Sequence, residues 1–222
     1  MTKPYLIIDK VSRSFFSNER KVEVIDNFSY EFYLGKKYCI TGKSGVGKTT
    51  LANIIGMIDL KYDGQCVIDG DNYKLLSKQE LLQVRNANFG YIFQDFQLLE
   101  NKSVYQNIEL PLLYTNKKKR ERKQIVQELL KKVELEDKFG LKAKYLSGGE
   151  RQRVSIARAL VNHPKIIIAD EITSALDDET TTTVMRCVME CLRSDSICIF
   201  VTHDSRILNY FDELIEMNGI TQ

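Results

Sequence analysis

The sequence has little net charge and no long apolar run. Its 222 residues include 32 basic and 30 acidic side chains, which leaves a formal charge of +2. This balance gives no support for a nucleic-acid partner, because proteins that bind nucleic acids usually carry a strong excess of basic residues. No segment approaches the ~20 apolar residues of a membrane helix, and the amino terminus carries no signal-like apolar stretch. We therefore expect a chain that does not span a membrane by itself.

Cysteine and histidine are also scarce. The five cysteines are odd in number and lie mostly in apolar runs. They favour a reducing, cytosolic compartment over a disulfide framework. Cys187 and Cys191 share a predicted helix face, but without a nearby histidine they are better explained as core residues than as a metal or redox pair. Of the two histidines, His163 and His203, we expect the first to be structural.

A glycine-rich segment lies between a short apolar strand, residues 37–41, and a helix predicted over 50–57. It reads Gly42, Lys43, Ser44, Gly45, Val46, Gly47, Lys48 and Thr49, with Thr50 next. The segment matches G-x-x-x-x-G-K-[ST] in the strand-loop-helix setting that the pattern requires. Its backbone N–H groups and the helix dipole would hold phosphate. Lys48 would contact the outer phosphates, and the Thr49 hydroxyl would bind Mg²⁺.

A second helix start has features that suit an anion. Ser147 and Glu150 predict a capping box, and the helix is expected to end near residues 162–164. Gly148 and Gly149 would cost roughly 1 kcal/mol each in a helix interior. They are explained if an anion approaches the bare N–H groups, so the chain has two helix N-termini suited to phosphate.

Polar residues follow three predicted strands. Asp170 and Glu171 follow an all-apolar strand at 166–169, His203 follows the last predicted strand, and Gln94 ends a strand at 88–93. Ligand sites in open α/β sheets lie at this carboxyl end. We expect Asp170 to hold Mg²⁺ through its water shell and Glu171 to orient and deprotonate an attacking water. His203 can donate a hydrogen bond to a γ-phosphate.

Two segments allow alternative interpretations. Between predicted strands at 5–11 and 22–33, Phe15 and Phe16 lie in an expected polar turn. One of them could stack on a nucleobase, or both could pack against the strands. A basic run at 117–123 could contact anionic lipid or nucleic acid. We favour the solvated face of a helix, because the apolar residues that follow keep helical spacing.

Together these segments resemble the nucleotide-binding subunit of ABC transporters over nearly the whole chain. Six motifs match in order: Walker A at 42–49, the Q-loop at Gln94, the LSGGQ signature at 146–150 with glutamate last, Walker B and the catalytic glutamate at 166–171, the D-loop at 174–177 and the H-loop at His203. Segments 56–59, 91–95, 107–111 and 168–171 are similar to the MacB and LolD type, which serves exporters of peptides, lipoproteins and some antibiotics.

The resemblance implies an α/β fold. It would have a P-loop NTPase (RecA-like) core, a small antiparallel β-subdomain and an inserted α-helical signature subdomain. The core with its β-subdomain would occupy about 1–93 and 146–222, and the helical subdomain about 94–145, all within one ABC ATPase domain. The implied cofactors are ATP and Mg²⁺. The implied partners are an integral-membrane permease and a second copy of the chain, with no nucleic acid.

The resemblance also assigns roles to particular residues. Two copies would close head to tail, so that Ser147, Gly148, Gly149 and Glu150 of one cap the γ-phosphate held by Lys48 of the other, with Asp177 at the join. Phe15 would stack on adenine, with Phe16 as the alternative. Gln94 would contact Mg²⁺ or the lytic water and report to the membrane partner.

Three positions depart from the family pattern. Lys43 replaces a frequent proline, Thr49 a frequent serine, and Ile172 the usual proline after the catalytic glutamate. The changes at Lys43 and Thr49 remove neither a backbone N–H of the phosphate loop nor the hydroxyl that would bind Mg²⁺. Ile172 restores an N–H and loosens φ near Glu171, so we expect a modest loss of hydrolysis rate.

The implied function is an ATPase subunit at the cytoplasmic face of the membrane that drives a separate permease, with export as the expected direction. An alternative is an ATP-gated regulator in the manner of FtsE, which signals to a membrane partner without transport. A soluble DNA- or ribosome-acting ATPase is disfavoured, because the sequence has no long coiled coil, no second cassette and no net basic surface.

Overall fold

The structure is a computed structural model that describes residues 3–17 and 20–217. The strands in these ranges are β1 (Leu6–Ser17), β2 (Arg20–Phe32), β3 (Lys37–Thr41), β4 (Asp63–Ile68), β5 (Asp71–Asn72), β6 (Phe89–Ile92), β7 (Ile166–Asp170), β8 (Ile197–Val201) and β9 (Glu213–Glu216). The α-helices are α1 (Lys48–Ile55), α2 (Lys78–Asn88), α3 (Val104–Glu109), α4 (Lys119–Lys132), α5 (Gly148–Leu160) and α6 (Asp178–Cys191).

A five-stranded parallel sheet forms the centre of the fold. Its strand order is β6-β7-β8-β3-β9, and every residue of β7 and β8 is buried. Continuous apolar runs are typical of strands covered on both faces. Because β6, β7, β8 and β3 are adjacent and parallel, the segments that follow them lie along one edge of the sheet. The predicted α/β class is confirmed.

A second sheet is antiparallel, with strand order β2-β1-β4-β5. Asp69 and Gly70 join β4 to β5 and have φ values of 50° and 96°. Two positive φ values are typical of a type I′ hairpin turn, and an Asp-Gly pair favours such a turn. Strand β1 continues to Ser17, so Phe15 and Phe16 lie in a strand and the expected polar turn was wrong there. Asn18 and Glu19 of that segment lie outside the described residues.

The chain between β6 and β7 is helical. Helix α3 is followed directly by a 3₁₀ helix, Leu110–Tyr114, because Pro111 cannot donate the N–H that an α-helix interior requires. The buried face of α4 carries Val126, Leu129 and Leu130. Its apolar periodicity is therefore confirmed.

Cys187 and Cys191 of α6 are buried in a hydrophobic core that they share with residues of α3, α4 and α5. Both thiols are free, and burial raises their pKa, to about 11 for Cys191. The expectation that they are core residues is confirmed. Within residues 3–17 and 20–217, the structure contains no helix long and apolar enough to cross a membrane.

Candidate functional site

The phosphate loop is clamped between two neighbouring segments. Gly42 has φ +145° and Gly47, the N-cap of α1, has φ +100°. A Cβ at Gly42 would lie 2.5 Å from the carbonyl oxygen of Met217, and a Cβ at Gly47 would lie 2.8 Å from that of Val24. Both positions therefore require glycine for conformation and for space. Strand β2 and the residue after β9 hold the loop in place.

Lys48 is buried at the start of α1, with 7% of the residue exposed. Its Nζ donates to the carbonyl oxygens of Gly42 at 2.9 Å and Lys43 at 3.1 Å. The ammonium group therefore lies inside the curve of the loop. On the outer side, Lys43, Ser44 and Gly45 are exposed, and a Cβ at Gly45 would meet nothing within 4 Å. That part of the loop is open to a ligand.

The first residue after the loop lysine contacts the end of β7. Thr49 Oγ1 donates to Asp170 Oδ1 at 3.2 Å, and Asp170 is 8% exposed. Burial raises the pKa of the Asp170 carboxyl above its usual value, and the Thr49 hydrogen bond opposes that rise. A hydroxyl and a buried carboxylate are the hard oxygen donors that Mg²⁺ prefers. The two residues therefore fit the cation.

These residues could not hold a metal ion alone. Among the described residues, no group of three or more histidine, cysteine, aspartate or glutamate side chains could form a metal site. Magnesium keeps several water ligands and is usually bound by one or two protein groups together with substrate phosphates. Thr49 and Asp170 supply two such groups, so the remaining ligands would come from water and a nucleotide.

Glu171 is fixed by its backbone and its side chain. Its N–H donates to the carbonyl oxygen of Val201 at 2.8 Å, and its φ is +51°, which is uncommon for a residue with a Cβ. Glu171 Oε1 lies 2.8 Å from His203 Nδ1, and Oε2 accepts from the Thr202 hydroxyl at 3.3 Å. The carboxylate is 13% exposed and the His203 side chain is 65% exposed. The ends of strands β7 and β8 thus bring these two candidate site residues into direct contact, which was not predicted.

Arg206 joins the segment after β8 to the segment after β7, and sequence reasoning missed it. Its guanidinium donates two hydrogen bonds of 2.8 Å to the Asp204 carboxylate and one of 2.5 Å to Asp178 Oδ1. It also donates to the carbonyl oxygens of Thr173 and Leu176. The Arg206 bonds to the Asp204 carboxylate, together with a bond from the Thr173 hydroxyl, lower the pKa of Asp204 to about 2. Arg206 is therefore a positioning residue for the predicted D-loop and H-loop segments.

Gln94 lies two residues beyond β6 and is exposed. Its side chain makes no hydrogen bond within the part of the chain that the structure describes. The next turn is held by Arg158 of α5, which donates to the carbonyl oxygens of Phe96 at 2.7 Å and Gln97 at 2.5 Å. Burial lowers the pKa of Arg158. Sequence reasoning also missed this residue, because its contacts are 61 and 62 residues away in the chain.

The predicted capping box at the second helix start is confirmed. Ser147 Oγ accepts from the Glu150 N–H at 3.3 Å, and Glu150 Oε2 accepts from the Ser147 N–H at 2.8 Å. A Cβ at Gly148 would meet nothing within 4 Å, whereas one at Gly149 would lie 3.3 Å from the Thr180 methyl group. One face of this helix start is therefore open and the other contacts α6.

Asp177 caps the neighbouring helix α6. Its carboxylate accepts from the Thr180 N–H at 2.8 Å and from the Thr180 hydroxyl at 3.0 Å. The bond to the Thr180 N–H is the main cause of the lowered pKa of Asp177. The starts of α5 and α6 thus lie side by side. No hydrogen bond or ion pair among the described residues connects Ser147, Gly148, Gly149 or Glu150 to the phosphate loop.

Phe15 and Phe16 differ in their surroundings. Phe15 is 40% exposed, and the Arg13 guanidinium lies 4.1 Å from the centre of its ring. Phe15 pairs with Val22 of β2, two residues from Val24, which contacts Gly47 of the phosphate loop. Phe16 is 81% exposed. Phe15 is therefore the more fixed ring, and it lies on the hairpin that touches the loop.

The parallel sheet, the glycine loop and the carboxylates at its edge define the class of P-loop ATP-binding domains. The family model described as ABC transporter matches residues 25–174. The chain is 37% identical over 217 residues to the macrolide export ATP-binding/permease protein MacB of Shewanella sp. (strain ANA-3), which covers 98% of this chain and 33% of MacB. It is 37% identical over 210 residues to the uncharacterized ABC transporter ATP-binding protein YvrO of Bacillus subtilis (strain 168). This match covers 95% of the present chain and 92% of YvrO.

A solved structure is similar over the same range. It is the dimeric, post-hydrolysis state of the ATP-binding cassette MJ0796 bound to ADP and Pi, with a TM-score of 0.87, 33% identity, and 96% of this chain and 94% of that chain covered. The chain therefore belongs to the ABC transporter family, as an ATPase cassette homologous to the MacB export ATPases. The resemblance drawn from the six motifs is confirmed. The chain spans about a third of the length of the MacB relatives.

Proposed function

We propose that this cassette dimerises on ATP and drives a membrane permease, with export of a peptide, lipoprotein or antibiotic as its task. The contact between the Thr49 hydroxyl and Asp170 carries the hydrolytic part of the proposal. It joins the phosphate loop to the end of β7, where Glu171 lies beside His203. A loop for phosphates, two hard oxygen donors and the proposed base therefore lie at one sheet edge.

In the proposed reaction, water attacks the γ-phosphorus of bound ATP, the bond from that phosphorus to the β–γ bridging oxygen breaks, and ADP and inorganic phosphate are released. The N–H groups of the loop and the Lys48 ammonium bind the phosphates and stabilise the negative charge of the transition state. Glu171 accepts the proton of the attacking water, and its position is fixed by Thr202 and His203. Magnesium, held by the Thr49 hydroxyl and by Asp170 through its water shell, would neutralise charge on the phosphate oxygens. Gln94 is proposed to contact Mg²⁺ or this water.

The second anion site is proposed to act on the partner copy. Within residues 3–17 and 20–217, the exposed helix start at Ser147 and Gly148 makes no hydrogen bond or ion pair to the chain's own phosphate loop. We propose that it caps the γ-phosphate bound to Lys48 of the partner, with Asp177 at the join. The dimeric state of the MJ0796 cassette supports this arrangement. Phe15 is proposed to stack on adenine, with Phe16 as the alternative.

A membrane permease is proposed to bind in an apolar groove beside the Gln94 segment. The groove lies between α2, β6, α5 and the 3₁₀ helix, and exposed Leu82 and Tyr114 are among its lining residues. Gln97 and Arg158, which fix the turn after Gln94, also line it. A permease segment in this groove would therefore contact the turn that positions Gln94. The MacB relatives, named ATP-binding/permease proteins, support such a partner.

The test is ATP-dependent dimerisation of Glu171→Gln, measured by light scattering beside the wild type. If Glu171 removes the water proton, the variant binds ATP and Mg²⁺ but hydrolyses slowly, so its dimer persists while the wild-type dimer decays. The matched control is Glu190→Gln, the same change at an exposed position near the end of α6. We expect it to behave like the wild type.

Two results would contradict the proposal. Hydrolysis by Glu171→Gln at the wild-type rate would exclude Glu171 as the base. A monomeric Glu171→Gln with ATP fully bound, both alone and beside its membrane partner, would exclude the closed dimer.

A further inference from the structure

Five exposed cations form a cluster at the start of α4. The basic cluster consists of Lys117, Lys118, Lys119, Arg120 and Lys123. Among the described residues, no carboxylate oxygen lies within 4 Å of the charged nitrogen atoms of these five side chains. The sixth basic residue of the run, Arg122, differs because its Nε lies 2.8 Å from Glu109 Oε1 and its side chain is 18% exposed. Five positive charges are therefore available to a partner.

The position of the basic cluster is fixed by Arg122. In addition to its bond to Glu109 at the end of α3, its guanidinium donates to the carbonyl oxygen of Lys117 at 2.8 Å. The Thr115 hydroxyl donates to the carbonyl oxygen of Leu112 at 2.7 Å and closes the intervening turn. The basic cluster is thus attached to the 3₁₀ helix Leu110–Tyr114 rather than carried on a loose loop.

Helix stability does not account for this placement. Lys118 is the N-cap of α4, and Lys119 and Arg120 occupy its first turn, where the positive end of the helix dipole disfavours cations. Glu121 is the one acidic residue in that turn. Two lysines at the other end, Lys131 and Lys132, lie where the dipole favours them. The basic cluster therefore weakens its own helix, which points to a role outside the fold.

Exposed apolar side chains lie next to the basic cluster. Leu113 is 51% exposed and Tyr114 is 77% exposed. Tyr114 also lines the groove in which we place the permease. Tyr114 thus belongs to the groove, and the basic cluster begins three residues later in the chain. Tyrosine beside lysine and arginine is typical of protein segments at the boundary between lipid and water.

We propose that the basic cluster binds anionic lipid headgroups of the membrane that surrounds the permease. The orientation rests on the proposed function, in which a permease segment bound in the groove holds this side of the cassette toward the bilayer. Flexible lysines act as point charges and suit a diffuse anionic surface. A specific acidic protein site would instead favour arginine forks, and Arg120 is the one arginine of the cluster.

The test compares vesicle binding of the full chain and of two matched variants by co-sedimentation at low salt. The vesicles are phosphatidylcholine alone, or phosphatidylcholine with a third replaced by phosphatidylglycerol. Lys119→Gln with Arg120→Gln removes two charges of the basic cluster. Lys131→Gln with Lys132→Gln removes two charges from the same helix about 18 Å away. We expect the first variant to bind anionic vesicles at least about tenfold more weakly, and the second to bind like the wild type.

Wild-type binding should require phosphatidylglycerol and be lost at high salt. Equal binding to both vesicle types, no binding to either, or equal losses in the two variants would overturn the proposal. Salt-sensitive retention by the detergent-solubilised permease without vesicle binding would also overturn it, and would assign the cluster to an acidic protein surface. These assays require neither hydrolysis nor the dimer, so their failure is distinct from failure of the Glu171→Gln test.

Discussion

Replacing Arg206 by alanine should destabilise the cassette in a pH-dependent way. Asp204 is 7% exposed at its side chain, and its main partner is the Arg206 guanidinium. The pKa of Asp204 falls from the ordinary 3.8 to about 2, which corresponds to about 2 kcal/mol at neutral pH. Because the Arg206 side chain is 36% exposed and solvent screens it, we expect a loss of about 1–2 kcal/mol.

The sign of the pH dependence follows from the lowered pKa. A carboxylate whose pKa is lower in the folded state contributes stability above its unfolded pKa and loses that contribution as pH falls through the folded value. The difference between Arg206→Ala and the wild type should therefore be full above about pH 5 and should shrink between about pH 4 and 2. Urea unfolding at a series of pH values measures it.

The control for this experiment is an exposed ion pair whose carboxyl group has a pKa similar to that of Asp204. Asp195 also has a pKa lowered to about 2, by Lys165 and Arg193, but the Arg193 and Asp195 side chains are 53% and 39% exposed. Solvent screening makes such pairs weak, so Arg193→Ala should unfold like the wild type within error. Equal losses in the two variants, or a pH-independent loss in Arg206→Ala, would refute the reasoning.

Two further predictions concern the loop and the turn after Glu171. Gly47→Ala should lower the free energy of unfolding by about 2 kcal/mol or more, because φ is +100° and the added Cβ meets the Val24 carbonyl. The control is Gly45→Ala, where the Cβ has open space and the loss should be about 1 kcal/mol. Equal shifts of the thermal unfolding midpoint in the two variants would contradict this. Ile172→Pro removes a side chain that is 4% exposed, so it should lose about 1 kcal/mol of stability but hydrolyse ATP modestly faster. An unchanged rate in a kinetic comparison would show that Ile172 does not limit hydrolysis.

Local signals made much of the fold predictable. The capping boxes at Ser77 and Ser147 depend on residues three apart, and both are present in the structure. Strands β7 and β8 are continuous apolar runs. Strand β9 was missed because it has four residues and one of them is buried, so it carries no clear period. Its place at the edge of the sheet is set by parallel pairing with β3, which is remote in sequence.

The places of Lys48 at the start of α1 and Glu171 directly after β7 were predictable from local strand and helix signals, and their roles stay predictions. Arg206 and Arg158 were not predictable, because arginine is mostly a surface residue and nothing in the sequence indicates which carbonyl oxygens a guanidinium will reach. Phe15 and Phe16 were placed in a turn because of the polar residues around them. In the structure they pair with Val22 and Lys21, and aromatic residues favour such strand positions.

The internal bonds of Glu150 explain how a glutamate can stand last in the signature segment. Its pKa is lowered chiefly by the Ser147 N–H, so the side chain is charged at neutral pH. An unpaired carboxylate would repel the γ-phosphate that we propose for this helix start. Here the carboxylate turns back onto the Ser147 N–H, and Lys138 Nζ lies 3.7 Å from its other oxygen. The N–H groups of Gly148 and Gly149 stay clear of this capping pair. The negative charge is therefore compensated within the chain, and the helix start keeps donors for an anion.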